Sequence, residues 1–144
     1  MDKVAFYNAI VPINNSELSE RVVLKAAELV QKGFIKNIVL LSVWETDEID
    51  LTKLHSSEKA EKLKLTAQAV LDKYKTLLNQ EGIPAKYVCV GGEPSKIIIQ
   101  AVEDTKYDLI IMGSRKLNKA KELLWGSVSD KVTRLVDVPV LVIK

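Results

Sequence analysis

The sequence predicts an α/β fold, an open, mostly parallel five-stranded sheet with helices on both faces. Three observations lead there. Short apolar runs alternate with segments of helical period along the whole chain, the order that builds parallel sheets through right-handed crossovers. The apolar runs are nearly unbroken, as strands covered on both faces are. The length of 144 residues, 47% of them apolar, suits one domain over residues 1–144 that buries roughly two thirds of its unfolded surface.

The first strand spans Tyr7 to Ile13, with Ala9, Ile10, Val11 and Ile13 in near-continuous apolar sequence. Asn14-Asn15-Ser16 breaks it, and short polar side chains of this kind favour a turn and cap a helix start. Leu18, Val22, Val23, Ala26, Leu29 and Val30 then recur at helical spacing until Gly33, placed as a C-terminal glycine should be. Ile38 to Val43 is the second strand, and residues 45–56 read as a polar loop. A long helix follows, with Ala60, Leu63, Ala67, Val70, Leu71, Tyr74, Leu77 and Leu78 on one face and Gly82 at its end. Glu58 and Lys62 stand four apart on its outer side, in the favoured order. Ala85 to Val90 is the third strand, ending at Gly91-Gly92, and Pro94 sits where a helix accepts proline. Ile97, Ile98, Ala101 and Val102 form that helix's buried stripe. Leu109 to Met112 is the fourth strand. Ser127, with Asp130 three residues on, has the form of a capping box for a short helix reaching about Val136. Val138 to Ile143 is the fifth strand, with Pro139 near its start.

Composition narrows the function classes. A net charge of +2 argues against nucleic acid as a partner, because phosphate-backbone binding draws on a strong basic excess. Cys89 is the single cysteine and forms no internal disulfide, which fits a reducing compartment. The first residues lack the apolar core and cleavage site of a signal peptide. No apolar run approaches the ~18 residues of a membrane span. The expectation is a cytoplasmic protein without membrane association.

In open parallel sheets, ligands bind beyond the carboxyl ends of the strands, where strand order reverses. The chain that reaches this rim is Pro12 to Ser16, Val43 to Thr46, Gly91-Gly92 and Met112 to Ser127. The last segment is the most informative. Gly113 leaves a strand and permits close approach of a ligand to the backbone. Gly126-Ser127 opens a helix, whose free N–H groups suit an anion. Between them Arg115, Lys116, Lys119 and Lys121 face one acid, Glu122. The pattern fits a loop that wraps phosphates, and it equally fits a solvated surface loop with an ordinary cap at Ser127.

These segments resemble a known family. Ile111-Met112-Gly113-Ser114, then Leu123 to Val132 (LLWGSVSDKV), then Val138-Pro139-Val140-Leu141-Val142 closely resemble the C-terminal signature of universal stress proteins. Ile10-Val11-Pro12 with Ser16 is similar to that family's first strand and turn. The resemblance covers essentially the whole chain and implies a Rossmann-like fold. ATP-binding members carry Gly-x2-Gly-x9-Gly followed by Ser or Thr. Gly113, Gly126 and Ser127 match at the same spacing, Lys116 replaces the second glycine, and Asn14 replaces an acid at the end of the first strand. The resemblance implies a binding site for ATP or a related adenine nucleotide, with or without magnesium. Pro12, Asn14 and Val43 would line its adenine and ribose end. Met112, Gly113, Arg115, Lys116, Gly126, Ser127 and Val128 would lie along its phosphate end.

Other residues do not rise to sites. His55 lies in a polar loop, and as a catalytic base it would need a positioned partner. Asp47, Glu48 and Asp50 lack metal-loop spacing. Cys89 fits a small packed residue of the third strand. Trp44 and Trp125 flank the rim, where either stacking on a base or ordinary packing would suit them. P-loop and dinucleotide glycine motifs are absent, and no nucleophile has a neighbouring base. The apolar last strand, expected at a sheet edge, predicts a homodimer through Val138 to Ile143, as the resemblance also implies. Three functions follow in order: a nucleotide-binding regulatory module of the stress response, a dimeric interaction protein that binds no nucleotide, and a slow ATPase.

Overall fold

The computed structural model describes residues 3–46, 49–50, 52–104, 107–114 and 128–144. The elements are β1 (Phe6–Ile13), α1 (Glu17–Gln31), β2 (Ile35–Glu45), α2 (Ser56–Gln80), β3 (Ala85–Gly92), α3 (Pro94–Asp104), β4 (Leu109–Gly113), α4 (Val128–Leu135) and β5 (Val140–Ile143). Five strands form one sheet in the order β3-β2-β1-β4-β5, and all four neighbouring pairs are parallel. Each of the first four strands thus feeds a helical crossover, as the alternation of apolar runs and helical periods requires.

The period-two alternation of the strands divides the core between two faces. Ala9, Val11, Leu40, Leu109 and Ile111 face α1 and α2, where Val22, Val23, Ala26, Val70, Leu71 and Tyr74 meet them. Ile10, Leu41, Ile110 and Met112 face α3 and α4, through Ile98 and Val132. Central β1 and β4 bury side chains on both faces, which is why their sequence reads as continuous apolar runs.

Local signals act as their chemistry demands. Gly33 and Gly82 stand just past α1 and α2 with φ of 80° and 69°. The amide of Gly33 donates to the Val30 carbonyl (3.0 Å) and that of Phe34 to Leu29 (2.9 Å), and the pair from Gly82 to Asn79 and Ile83 to Leu78 repeats the arrangement. Both are glycine-terminated Schellman ends. At the opposite end of the sheet, Asp108 clamps β1 to the start of β4. Its carboxylate accepts from the amides of Tyr7 (2.9 Å) and Asn8 (2.8 Å).

The structure corrects several boundaries. β2 runs from Ile35 to Glu45, longer at both ends than Ile38 to Val43, because β1 and β3 supply pairing along its length. β5 begins at Val140; Val138 and Pro139 precede it, although the Pro139 carbonyl accepts from the Ile110 amide (3.0 Å). β3 takes in Gly91 and Gly92, paired with Trp44 and Glu45. Ser16 is the N-cap of α1, yet its side chain makes no capping bond. Glu58 contacts His55 Nδ1 at 3.3 Å. The capping box at Ser127 lies outside the described residues. No helix among the described residues is long and apolar enough to cross a membrane.

Candidate functional site

Strand order sets the place of the site. From β1 the chain moves outward on one side to β2 and β3, then crosses to the other side for β4 and β5. The connections leaving β1 and β4 therefore diverge and open a crevice at the carboxyl ends of the strands. A cleft of about 160 Å³ lies there. β1 and its turn contribute Pro12, Ile13, Asn14 and Ser16, and α1 contributes Leu18, Ser19 and Val22. β2 contributes Leu41, Val43 and Glu45, α3 contributes Pro94 and Ile98, β4 contributes Met112 and Gly113, and α4 contributes Val128. The volume is below the roughly 300 Å³ at which pockets for whole drug-sized ligands begin, so it fits a planar ring or a sugar better than an entire nucleoside triphosphate.

Six of the ten expected site residues meet in this one cleft: Pro12, Asn14, Val43, Met112, Gly113 and Val128. They come from four separate stretches of chain. Arg115, Lys116, Gly126 and Ser127 lie outside the described residues, as do the lysines between them and Trp125.

The turn after β1 is held by hydrogen bonds that converge on Asn14. Its side-chain oxygen Oδ1 accepts from the Ser16 amide (3.0 Å), the Ser16 hydroxyl and the Ser19 hydroxyl (2.9 Å). Its own backbone amide donates to Ser19 Oγ at 2.8 Å. A backbone N–H can only donate, so the Ser16 amide fixes which end of the carboxamide is oxygen. The Asn14 group left for a ligand is therefore the Nδ2 amide, a donor. An aspartate at this position would hold the same turn with one oxygen and keep a second oxygen as acceptor.

Gly113 lies close under α1. A Cβ there would fall 2.7 Å from Leu18 Cδ2 and 3.3 Å from Val22 Cγ2, so a side chain at this position would have to displace that of Leu18. Trp44 alternates with Val43 and Glu45 and therefore points to the opposite face of β2. Its indole lies over Gly91, where a Cβ would come within 2.5 Å of the ring. Trp44 is a packing residue and does not line the cleft.

Beside the cleft, Glu93 joins the start of α3 to α4. Its carboxylate accepts from the Ser95 hydroxyl and lies 3.7 Å from both Lys96 Nζ and Lys131 Nζ. The Ser95 hydrogen bond, helped by the lysine charges, holds its pKa below the usual carboxylate range. Cys89 packs against the α1–α2 face of the core, and burial pushes its thiol pKa up. His55 is exposed. Among the described residues no group of three or more His, Cys, Asp or Glu side chains is placed to hold a metal.

Glu45, Leu41, Ile98, Pro94, Leu18 and Ser19 also line the cleft and were not singled out from the sequence. For β2 a signal existed: residues 41, 43 and 45 share one face of a strand, so choosing Val43 selects Glu45 as well.

The family model described as the universal stress protein family matches residues 6–144. The chain belongs to the universal stress protein family. Universal stress protein MJ0577 of Methanocaldococcus jannaschii is 29% identical, with 98% of this chain and 96% of that protein covered. Universal stress protein YxiE of Bacillus subtilis is 25% identical, over 96% of this chain and 99% of that one. The solved structure of MJ0577 superposes with a TM-score of 0.81 at 30% identity, covering 98% and 97% of the two chains. It confirms the universal stress protein fold. A family protein from Arabidopsis thaliana, solved with AMP bound, superposes with a TM-score of 0.71 at 20% identity over 96% and 91%, a likeness of fold.

Proposed function

We propose that this universal stress protein is a regulatory module that binds ATP or a related adenine nucleotide at the cleft between the ends of β1, β2 and β4. One observation carries the reading. Six residues expected at a nucleotide site from a pattern spread over the chain line a single crevice at the reversal of strand order. Leu41, Val43, Ile98 and Met112 supply apolar walls for a flat base. Gly113 admits backbone contact, and Val128 opens α4, whose N-terminal amides favour negative charge. A relative of the same fold holding AMP supports the ligand class. Arg115, Lys116, Gly126 and Ser127 complete the phosphate end of this reading, and any magnesium would be carried by the phosphates of the nucleotide. Nucleotide occupancy would regulate how the module engages a protein partner in the cytoplasm.

The test is a thermal shift and a calorimetric titration with ATP and magnesium. At a hundredfold excess over Kd, binding to the folded state alone adds about 2.7 kcal/mol, a rise in Tm of roughly 5–10 °C for a chain of this size. Absence of both heat and shift would remove the reading. Phosphate release above a Gly126→Asp control would add slow hydrolysis to the function.

A second reading is a dimeric interaction protein without a small ligand. β5 is the terminal strand of the sheet, paired with β4 on one side, and Leu141 on it is exposed. An apolar edge of this kind invites pairing with a second copy, here through residues Val138 to Ile143. The donor-only Asn14 and the replacement of a glycine by Lys116 also favour it. Light scattering at micromolar concentration is expected to give twice the 16.1 kDa chain mass; a monomer mass would exclude this assembly.

A further inference from the structure

We infer that Glu45 is the sugar-recognising side chain of the cleft, accepting hydrogen bonds from the vicinal hydroxyls of a ribose. The inference rests on the nucleotide reading above and assigns a specificity residue within it.

The argument is an inventory of donors and acceptors. A ribose diol offers two O–H donors side by side. Among the described residues lining the cleft, the polar side chains are Asn14, Ser16, Ser19 and Glu45. The Oδ1 atom of Asn14 is taken by the two serines, and Ser19 Oγ both donates to Asn14 and accepts from its amide. What this turn leaves for a ligand is the Asn14 Nδ2 donor and the neutral acceptor lone pairs of the serine hydroxyls. Glu45 carries the only carboxylate in that set. Glu45 already has a partner in the fold; an ionised carboxylate accepts through two oxygens with about four lone-pair sites, and a diol would share it.

Its placement suits the task. Glu45 closes β2 on the face that carries Leu41 and Val43 into the cleft. Ile13 is level with Ser42, so Asn14 stands level with Val43 and Glu45 lies two residues further out. Strand geometry puts the Asn14 and Glu45 Cα atoms about 8 Å apart, the width of a sugar held between two side chains. Across from Glu45 on β3 is Gly92, which places no side chain on that flank. Gly113 ends β4 on the far side of β1 from β2, so the carboxylate and the glycine that admits backbone contact occupy opposite flanks of the cleft. A ligand with hydroxyl donors at one end and phosphates at the other matches this polarity. An acidic residue ending the second strand of a doubly wound sheet is also where dinucleotide folds hold a ribose hydroxyl.

The experiment titrates the full chain, wild type, Glu45→Gln and Glu45→Ala, with ATP, 2′-deoxy-ATP, 3′-deoxy-ATP and the triphosphate of purine riboside, which lacks the 6-amino group. Circular dichroism verifies folding; Glu45 is exposed, and both variants should match wild type. The expected result is about a tenfold weaker Kd for the deoxy analogues with wild type. Both variants should bind ATP about tenfold more weakly and treat ATP and the deoxy analogues alike within twofold. Wild type that binds ATP while the variants keep full affinity, or keep the deoxy penalty, overturns the role of Glu45 and leaves the nucleotide reading standing. So does a variant that loses discrimination against purine riboside triphosphate instead, since the carboxylate would then read the base. Wild type that binds none of the four overturns both.

Discussion

The two ends of β1 use polar side chains in opposite ways. At the amino end, Asp108 spends both carboxylate oxygens on backbone amides, one on Tyr7 and one on Asn8. At the carboxyl end, Asn14 spends its oxygen on the turn but keeps an amide donor, and Glu45 on the next strand keeps an exposed carboxylate. One end is closed by the fold's own hydrogen bonds, while the other keeps polar groups at the reversal of strand order. Polar residues at strand ends are thus not equivalent. The Asp108 carboxylate is committed to two backbone amides, whereas the Glu45 side chain is exposed at the cleft.

The largest effect should come from breaking the closed end. Asp108→Ala removes two charge-assisted hydrogen bonds and leaves the Tyr7 and Asn8 amides without them. The expected loss is about 2–3 kcal/mol in urea unfolding, with nucleotide affinity per folded molecule unchanged. A loss below about 0.5 kcal/mol would show that water replaces the clamp.

Asn14→Ala should cost about 1 kcal/mol, because the turn loses its central acceptor while the exposed site readmits water. Asn14→Asp sharpens the contrast. It retains the turn, so stability should stay within about 0.5 kcal/mol of wild type, while the regained second acceptor oxygen should strengthen binding of a ribose nucleotide. If Asn14→Asp instead destabilises the chain as much as Asn14→Ala, the carboxamide and not the shared oxygen is what the turn requires.

The smallest effect concerns the α3–α4 contact beside the open end. Glu93 titrates lower in the folded chain than its ordinary value, chiefly through the Ser95 hydrogen bond. A depressed carboxylate pKa adds stability above the unfolded pKa and loses it as pH falls through the folded one. Thermal melts of wild type and Glu93→Gln should therefore differ slightly at pH 7 and converge as pH drops below the ordinary carboxylate range. Curves that stay parallel down to pH 3 would show that the contact contributes nothing.

Much of this protein was legible in its sequence because the relevant signals are local. Periods of two and 3.6 residues, the glycines at positions 33 and 82 and the proline at position 94 each act within a few residues of themselves. They suffice for the alternation of strands and helices and, through the handedness of crossovers, for the parallel sheet. Pro12, Asn14, Val43, Met112, Gly113 and Val128 were selected by the resemblance to universal stress proteins, and the fold brings the six to one cleft. What tertiary structure alone decided was length, partnership and direction. β2 extends to Ile35 because β1 pairs with it there, and Trp44 turns away from the cleft to cover Gly91. The Asn14 oxygen, already held by Ser16 two residues on, is also taken by the Ser19 hydroxyl one helical turn into α1. Glu45 enters the cleft because β2 lies beside β1 at the reversal of strand order. Such facts depend on which groups meet across the sheet, and a hydrogen bond or a steric contact exists only once both partners have been placed.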